Sequence, residues 1–493
     1  MSGGASIRRP LAALLGVRGD AGQVITGLTA DSRKVRPGDL FAALPGSRAD
    51  GRQFIDDAIA RGAVAILAPA DDQASDHQAG AAVSFLFSSR PQRRFAEMAA
   101  AFYGAQPQNI VCITGTNGKS SVASFCRQLW CTLDLRGASI GTLGVESESL
   151  SRPGGLTSPD PVTFHETLHD LAAHGITHVA CEASSHGLVQ YRLDGLQPKV
   201  AAFTNLSRDH LDYHQNMEAY FHAKARLFSE VLVADGVAVI WADSPAGQRM
   251  IDLAKGRDLA VITVGRGADC DLHVRAIDPT AEGQRLSIRY HDQDHQIDLP
   301  LFGGFQAENA LLAAAILCAL SASPAAVFKA MEGLKPVLGR LQWAGDKAGG
   351  GRVFVDYAHT PGGLETVLEA LRPHCSGALS VVFGAGGDRD RGKRPAMGAV
   401  AHRYADRVII TDDNPRTEDP AAIRKAIMES CPDALEIADR ARAIFNAINK
   451  LRPGDILVIA GKGHENGQII GDHILPFSDL EQVQKALSQR TGP

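Results

Sequence analysis

The stretch Ile110-Val111-Cys112-Ile113-Thr114-Gly115-Thr116-Asn117-Gly118-Lys119-Ser120-Ser121 restricts the possible folds more than any other part of the chain. A short apolar run, readable as a buried strand, stops at a glycine turn. Lys-Ser follows, and Val122 to Trp130 reads as a helix. Strand, glycine turn and helix in that order describe a phosphate cradle. Glycines let backbone N–H groups close around phosphate oxygens, and a helix N-terminus adds favourable partial charge. Lys119 is then placed to reach the β/γ-phosphates, and the Ser120 hydroxyl to sit on Mg²⁺. In the commoner spelling of such loops another glycine stands where this chain has Ile113, so Gly115 makes a tighter turn. Alone, the stretch is also the glycine turn that precedes many helices; the flanking strand and helix favour a nucleotide.

At 493 residues the chain exceeds one ordinary core, and its length suggests about three domains. With 45% hydrophobic and 21% charged residues it has the composition of a globular protein. A net charge of −5 offers no broad basic field to displace counterions, which argues against a nucleic-acid partner. The eight cysteines are scattered without CxxC or zinc spacing and read as small apolar residues in a reducing compartment. The N-terminal residues lack the apolar core of a signal peptide, and no run of about 18 apolar residues suggests a membrane span. A cytoplasmic enzyme, with no membrane partner, is the expectation.

Residues 1–100 alternate strand and helix signals and form a small N-terminal α/β domain. Its Asp31-Ser32-Arg33 segment is either a turn or a polar-ligand edge. Residues 101–338 form a central P-loop-type domain, whose strands Thr177–Cys181, Val200–Thr204 and Val237–Ile240 alternate with helices. That order favours a mostly parallel sheet with ligands beyond the strand C-termini. Two polar clusters stand there: Glu182-Ala183-Ser184-Ser185-His186 and Asn205 to His214, with Lys224 in the next helix. Glu182 is a hard oxygen ligand suited to Mg²⁺, and His210 a candidate for a second metal. Each alone is as readily a hydrogen-bonded loop residue; their joint position favours a site. Alternation at Leu286–Tyr290 and Gln296–Leu299 predicts an edge hairpin. Residues 339–493 form a C-terminal Rossmann-like domain, in which four apolar strands each run into a polar, glycine- or proline-containing loop.

Together, Gly115-Thr-Asn-Gly-Lys119, Glu182-Ala-Ser-Ser-His186, Asn205-Leu-Ser-Arg-Asp-His210, Asp356-Tyr-Ala-His359 and the C-terminal glycine loops resemble the Mur ligases, ATP-dependent amide-forming enzymes of peptidoglycan precursor synthesis. The resemblance covers nearly the whole chain, and the family's three-domain plan matches the divisions above. It implies that Ala30, Ser32, Ser47, Arg48 and Ala49 hold the UDP end of a UDP-N-acetylmuramoyl-L-alanyl-D-glutamate substrate. Thr157, Ser158, Ser184, Gln190 and Arg192 would hold its muramoyl-dipeptide. Gly115, Thr116, Asn117, Gly118, Lys119, Ser120 and Ser121 would hold the ATP phosphates, with Asn309, Arg340 and Asp356 around the rest of the nucleotide. Two Mg²⁺ ions would sit on Ser120/Glu182 and on His210/Lys224. Lys224 matches a lysine that carries a carbamate, which reverses the sign of an ammonium that would repel metal ions.

Asp413-Asn414-Pro415-Arg416 is the most discriminating motif: within the family this spelling accompanies meso-diaminopimelate, and lysine-adding relatives lack the arginine. A guanidinium grips the extra carboxylate through two parallel hydrogen bonds. Arg389, Gly461 and Glu465 match other residues around the amino acid. Two departures stand out. Lys-Ser-Ser replaces Lys-Thr-Thr and keeps the hydroxyl, while Leu341-Gln342 after Arg340 replaces Met-Glu and removes a carboxylate. The implied catalytic set is Lys119, Glu182, His210 and Lys224, acting through an acyl phosphate in a monomer, with domain closure before chemistry; no general base is named. A lysine-adding ligase, a folylpolyglutamate synthase-like ligase and a non-catalytic nucleotide-binding regulator are the competing readings.

Overall fold

The computed structural model describes residues 7–16, 23–46, 49–70 and 83–489. It divides into two compact units, residues 1–273 with 312–327, and residues 274–311 with 328–493.

Besides a two-stranded pair, Arg9–Pro10 with Val24–Ile25, the first unit holds a small N-terminal sheet and the strands of a central one. The small N-terminal sheet runs Gly27–Thr29, Asp39–Ala42, Ala65–Pro69, Ser84–Ser88, with every neighbouring pair parallel. Its two middle strands are buried on both faces, with Leu40 and Leu67 in one cluster and Phe41 and Ile66 in the other. Parallel strands covered on both faces read as continuous apolar runs, which is why this domain was legible. Between the second and third of these strands a 3₁₀ turn, Gly51–Phe54, leads into the helix Ile55–Ala60. Asp50 accepts from the Arg52 amide and holds the tighter turn.

The central sheet places Gly137–Gly141, His178–Glu182, Asn109–Thr114, Pro198–Phe203, Val237–Trp241 and Ala260–Gly265 side by side and parallel. The middle strands are apolar because helices cover both faces. Their carboxyl ends bring the loops after Gly141, Thr114, Glu182 and Phe203 to one edge, where an open α/β sheet binds ligands. The helix after the glycine turn starts at Lys119, three residues earlier than its apolar pattern suggests.

Asp194 ties these parts together. Arg226 donates to its two carboxylate oxygens at 2.6 and 2.8 Å, and Arg93, from the N-terminal helix Pro91–Tyr103, approaches one of them at 3.3 Å. Arg226 ends the helix Met217–Arg226 that carries Lys224, and a π-helical turn, Leu227–Val231, continues it.

In the second unit, Gly283–Tyr290 and Gln293–Leu299 form the antiparallel hairpin expected there, longer at its start than the alternation indicated. The C-terminal sheet has the order Gln342–Asp346, Arg352–Asp356, Ile456–Ala460, Leu379–Phe383, Arg407–Ile410, Leu435–Glu436, parallel except for its first strand. Separate apolar clusters cover its two faces. The helix Asp479–Ser488 is anchored by a fully buried ion pair, with Arg440 Nε and Nη2 each donating to Asp479 at 2.7 Å. Removing one partner strands a buried charge, so Asp479→Ala should cost about 3–5 kcal/mol; urea unfolding of the variant measures the loss. Among the described residues, no helix is long and apolar enough to cross a membrane.

Candidate active site

The phosphate loop is shaped by its glycines and clamped by the chain that follows Phe203. Gly115 has φ +149°, and a Cβ there would fall 1.9 Å from the Thr204 hydroxyl. Gly118, at φ +87°, turns the chain into the helix. The Thr116 amide donates to the Asn205 carbonyl at 2.8 Å, and the Asn117 amide to Asn205 Oδ1 at 3.0 Å. The Thr204 hydroxyl donates to the Asn117 carbonyl at 2.6 Å, and the Ser207 amide to the Thr116 hydroxyl at 3.0 Å. The Asn205-Leu-Ser segment thus sets the cradle as well as leading to His210.

Two lysines meet at this loop. Lys119 Nζ donates to the carbonyls of Gly115 and Thr116 at 2.9 and 2.8 Å, and Lys224 Nζ donates to the same Gly115 carbonyl at 2.7 Å. Lys224 is 1% exposed, with its Nζ 4.3 Å from the centre of the Tyr220 ring. Burial, and then the neighbouring Lys119 charge, hold its amine well below the usual lysine range, against a smaller pull from Asp209.

Glu182 is buried at the end of its strand. Thr142 donates to it twice, from its amide to Oε1 at 2.9 Å and from its hydroxyl to Oε2 at 3.3 Å. Gly141 makes that approach possible, since a Cβ there would lie 2.0 Å from Oε1. Thr142 was not singled out from the sequence; the glycines at 141 and 144, around a strand end, were its only signal. Its hydroxyl also lies 3.0 Å from that of Thr157. Ser158 donates to the Glu182 carbonyl at 2.9 Å and meets the Ser184 hydroxyl at 3.0 Å, while Ser184 caps the short helix Ser185–Val189. Arg192 donates to the Ser158 carbonyl at 2.7 Å and to Gln190 Oε1 at 3.0 Å. Thr157, Ser158, Ser184, Gln190 and Arg192 therefore form one network joined to Glu182.

His210 has a left-handed backbone, φ 53°, a conformation a non-glycine residue adopts at some cost. Its ring lies 5.0 Å from that of His186 and 6.1 Å from that of Tyr220. His214, bonded to the Ser185 hydroxyl at 2.8 Å, is pushed down to about 4 by burial and then by the charges of His186, Lys224 and His210. Among the described residues no three His, Cys, Asp or Glu side chains converge as a metal cluster. Each expected metal set supplies one such residue, Glu182 or His210, with a hydroxyl or a modified lysine beside it.

In the N-terminal domain Ser32 is buried, whereas Arg33 is 82% exposed and paired with Asp31 through two 2.8 Å hydrogen bonds. Asp31 caps the turn, so this segment has the geometry of the turn reading. Ala30 and Ala49 are exposed; Ser47 and Arg48 lie outside the described residues.

In the second unit, Asp356 accepts from the amides of Leu341 and Ala358 at 2.5 and 2.6 Å. Burial pushes its carboxyl up to about 6, against the pull of Arg340 and these two amides. The Arg340 guanidinium lies over the Tyr357 ring at 4.5 Å. Asn309 reaches this corner indirectly: its amide donates to Gln306 Oε1 at 3.2 Å, and Gln306 donates to the Arg340 carbonyl at 2.8 Å. Gln342 accepts from the Gly339 amide at 2.9 Å, so its neutral side chain closes the turn that presents Arg340.

The Asp413-Asn414-Pro415-Arg416 loop follows the strand Arg407–Ile410. Asp413, Asn414 and Pro415 are buried, and Arg416 is partly exposed with φ 52°. The hairpin strand Gly467–Ile470 stitches the loop in place: Arg416 N donates to the Ile469 carbonyl at 3.0 Å, and Gly471 N to the Arg416 carbonyl at 2.7 Å. The Arg416 guanidinium donates to the Gly387 carbonyl at 2.8 Å. Asn414 donates to Glu465 Oε2 at 2.9 Å, and a Cβ on Gly461 would lie 2.6 Å from the Asp413 carboxylate. Arg389 is exposed in the loop that also holds Gly387.

Three family models match the chain: Mur ligase family, catalytic domain, over residues 24–103; Mur ligase middle domain over 113–317; and Mur ligase, glutamate ligase domain, over 339–463. The chain is 50% identical over 471 residues to the UDP-N-acetylmuramoyl-L-alanyl-D-glutamate–2,6-diaminopimelate ligase of Bradyrhizobium diazoefficiens, covering 95% of this chain and 96% of the relative. It is 49% identical to the protein of that name from Caulobacter vibrioides, covering 94% and 96%. A solved structure of a ligase of that name superimposes with a TM-score of 0.72 at 34% identity, covering 97% of this chain and 98% of that one. On matches that span all three family regions, this chain belongs to the Mur ligases, ATP-dependent enzymes that form amide bonds.

Proposed function

We propose that the chain joins meso-2,6-diaminopimelate to the D-glutamyl γ-carboxylate of UDP-N-acetylmuramoyl-L-alanyl-D-glutamate, converting ATP to ADP and phosphate, in the cytoplasmic synthesis of peptidoglycan precursor. The observation that carries the amino-acid assignment is Arg416, presented from a loop fixed at both its amide and its carbonyl. Among the described residues its guanidinium is bonded only through Nη1, which leaves donors for a carboxylate that lysine lacks.

A carboxylate is a poor electrophile, because its charge repels nucleophiles and oxide is a poor leaving group. Its oxygen therefore takes the γ-phosphoryl group of ATP, and ADP departs. The neutral amine of diaminopimelate then attacks the acyl carbon, phosphate leaves, and the nitrogen loses a proton. Lys119, already at the loop carbonyls, turns to the phosphates and offsets charge on the transferred group. Thr157, Ser158, Ser184, Gln190 and Arg192 hold the muramoyl-dipeptide, the acyl donor, beside Glu182. Asn309, Arg340 and Asp356 take the remainder of the nucleotide, and Ala30, Ser32, Ser47, Arg48 and Ala49 the uridine end. The donors suit Mg²⁺: Glu182 and Ser120 offer hard oxygens, and a carbamate on Lys224, with His210, completes a second set. The ions supply Lewis-acid neutralisation of the phosphates when bound.

Phosphate release from ATP with the UDP-muramoyl-dipeptide should require diaminopimelate and remain at background with lysine or with no amino acid. Equal release with lysine would move the assignment to a lysine-adding ligase, and release without an amino acid to a nucleotidase.

A further inference from the structure

Lys462 has no part in the chemistry above, yet its side chain is 0% exposed. The two glycines around it put it there. Gly461 and Gly463 have φ +115° and +55°, and a Cβ on the second would lie 2.7 Å from that of Tyr357. The buried ammonium faces three acceptors: Asn414 Oδ1 at 2.8 Å, Glu465 Oε2 at 3.3 Å and Asp413 Oδ1 at 3.6 Å. Two N–H groups thus donate, and the Asp413 carboxylate adds an opposite charge at ion-pair distance, which is the condition under which a buried cation is tolerated.

The contact with Asn414 fixes that amide. Its Oδ1 accepts from Lys462 and from the Ile469 amide at 3.0 Å, so Nδ2 is turned to Glu465. Asn414 and Glu465, both expected at the amino acid, are therefore held by one ammonium beneath them. Without it, the Asp413 and Glu465 carboxylates would lose the cation between them, and Asn414 Oδ1 would keep only the Ile469 amide as its donor.

We propose that Lys462 is a positioning residue for the amino-acid substrate, setting the orientation of Asn414 and Glu465 while touching neither ATP nor the muramoyl-dipeptide. This rests on the reading of the loop cluster as the diaminopimelate site. In the full-length protein, Lys462→Met keeps the apolar stem and removes the donor. The KM for diaminopimelate should rise about 10- to 100-fold, the range expected for lost hydrogen bonds to charged groups. The KM values for ATP and for the UDP-muramoyl-dipeptide should not change. Lys462→Gln, which retains a donor, should show a smaller rise with the same selectivity, and it serves if the methionine variant fails to fold. Equal rises in all three KM values, or an unchanged KM for diaminopimelate, would overturn the proposal. An unmutated enzyme indifferent to diaminopimelate would instead overturn the site assignment beneath it, so the two failures are distinguishable.

Discussion

Replacing Lys224 with alanine should lower kcat by at least about 10²–10³-fold, the scale of losing a preorganised electrostatic contact at a reacting group. Millimolar formate or acetate should restore part of the rate. The argument begins with an amine buried beside a second lysine and bonded only to a backbone carbonyl among its described hydrogen bonds. Burial and the Lys119 charge favour the neutral form of this amine, and it is the neutral form that adds to carbon dioxide, forming an N–C bond and releasing a proton. The product is a carboxylate where the bare side chain would carry a positive charge. Alanine leaves a space that a small carboxylate can fill, whereas Lys224→Met fills it with an apolar stem and should resist rescue. A stability measurement provides a second check. The folded value lies below the ordinary 10.5, so between the two the unfolded chain binds more protons and stability rises with pH. That slope should be missing in the methionine variant. Full activity of Lys224→Ala without added carboxylate would remove the carbamate from the mechanism.

Arg416→Ala should raise the KM for diaminopimelate on the order of 10²-fold, since each hydrogen bond between charged partners is worth about 1.5–3 kcal/mol. The preference over lysine should narrow with it, because lysine never used the guanidinium. Arg416→Lys should recover little, as a point charge does not reproduce a planar fork. The loop itself should survive, because its position depends on backbone bonds from Arg416 to Ile469 and Gly471. Steady-state kinetics with both amino acids tests this, and unchanged KM and kcat would remove Arg416 from the site.

The strand-and-loop plan of the chain was legible because buried parallel strands are written as uninterrupted apolar runs, and each ended in an unusual polar loop. The strand, glycine turn and helix around Gly115 were legible for the same reason. What escaped depends on approaches between distant segments. Thr142 matters because Gly141 lets it lie against Glu182, forty residues later, and nothing about a lone threonine announces that. Lys224 was placed by resemblance, but its contact with Gly115 spans 109 residues and cannot be read from spacing. Lys462 did leave a signal: a lysine between two glycines at a strand end is poorly explained as a solvated side chain. The choice between turn and ligand edge at Asp31-Ser32-Arg33 was undecidable from the sequence, because a pairing between residues two apart depends on local dihedral angles.

The shared anchor at Asp194 has a consequence for ionic strength. Arg226 and Asp194 are 10% and 5% exposed at their side chains, while Arg93 is 32% exposed. Mobile ions screen an exposed partner far more than a buried one. Added salt therefore loosens the hold of the N-terminal helix on Asp194 while leaving the helix of Lys224 where it is. The carboxylate acts as a fixed post with one permanent and one releasable tether, and the helix Pro91–Tyr103 is on the releasable one.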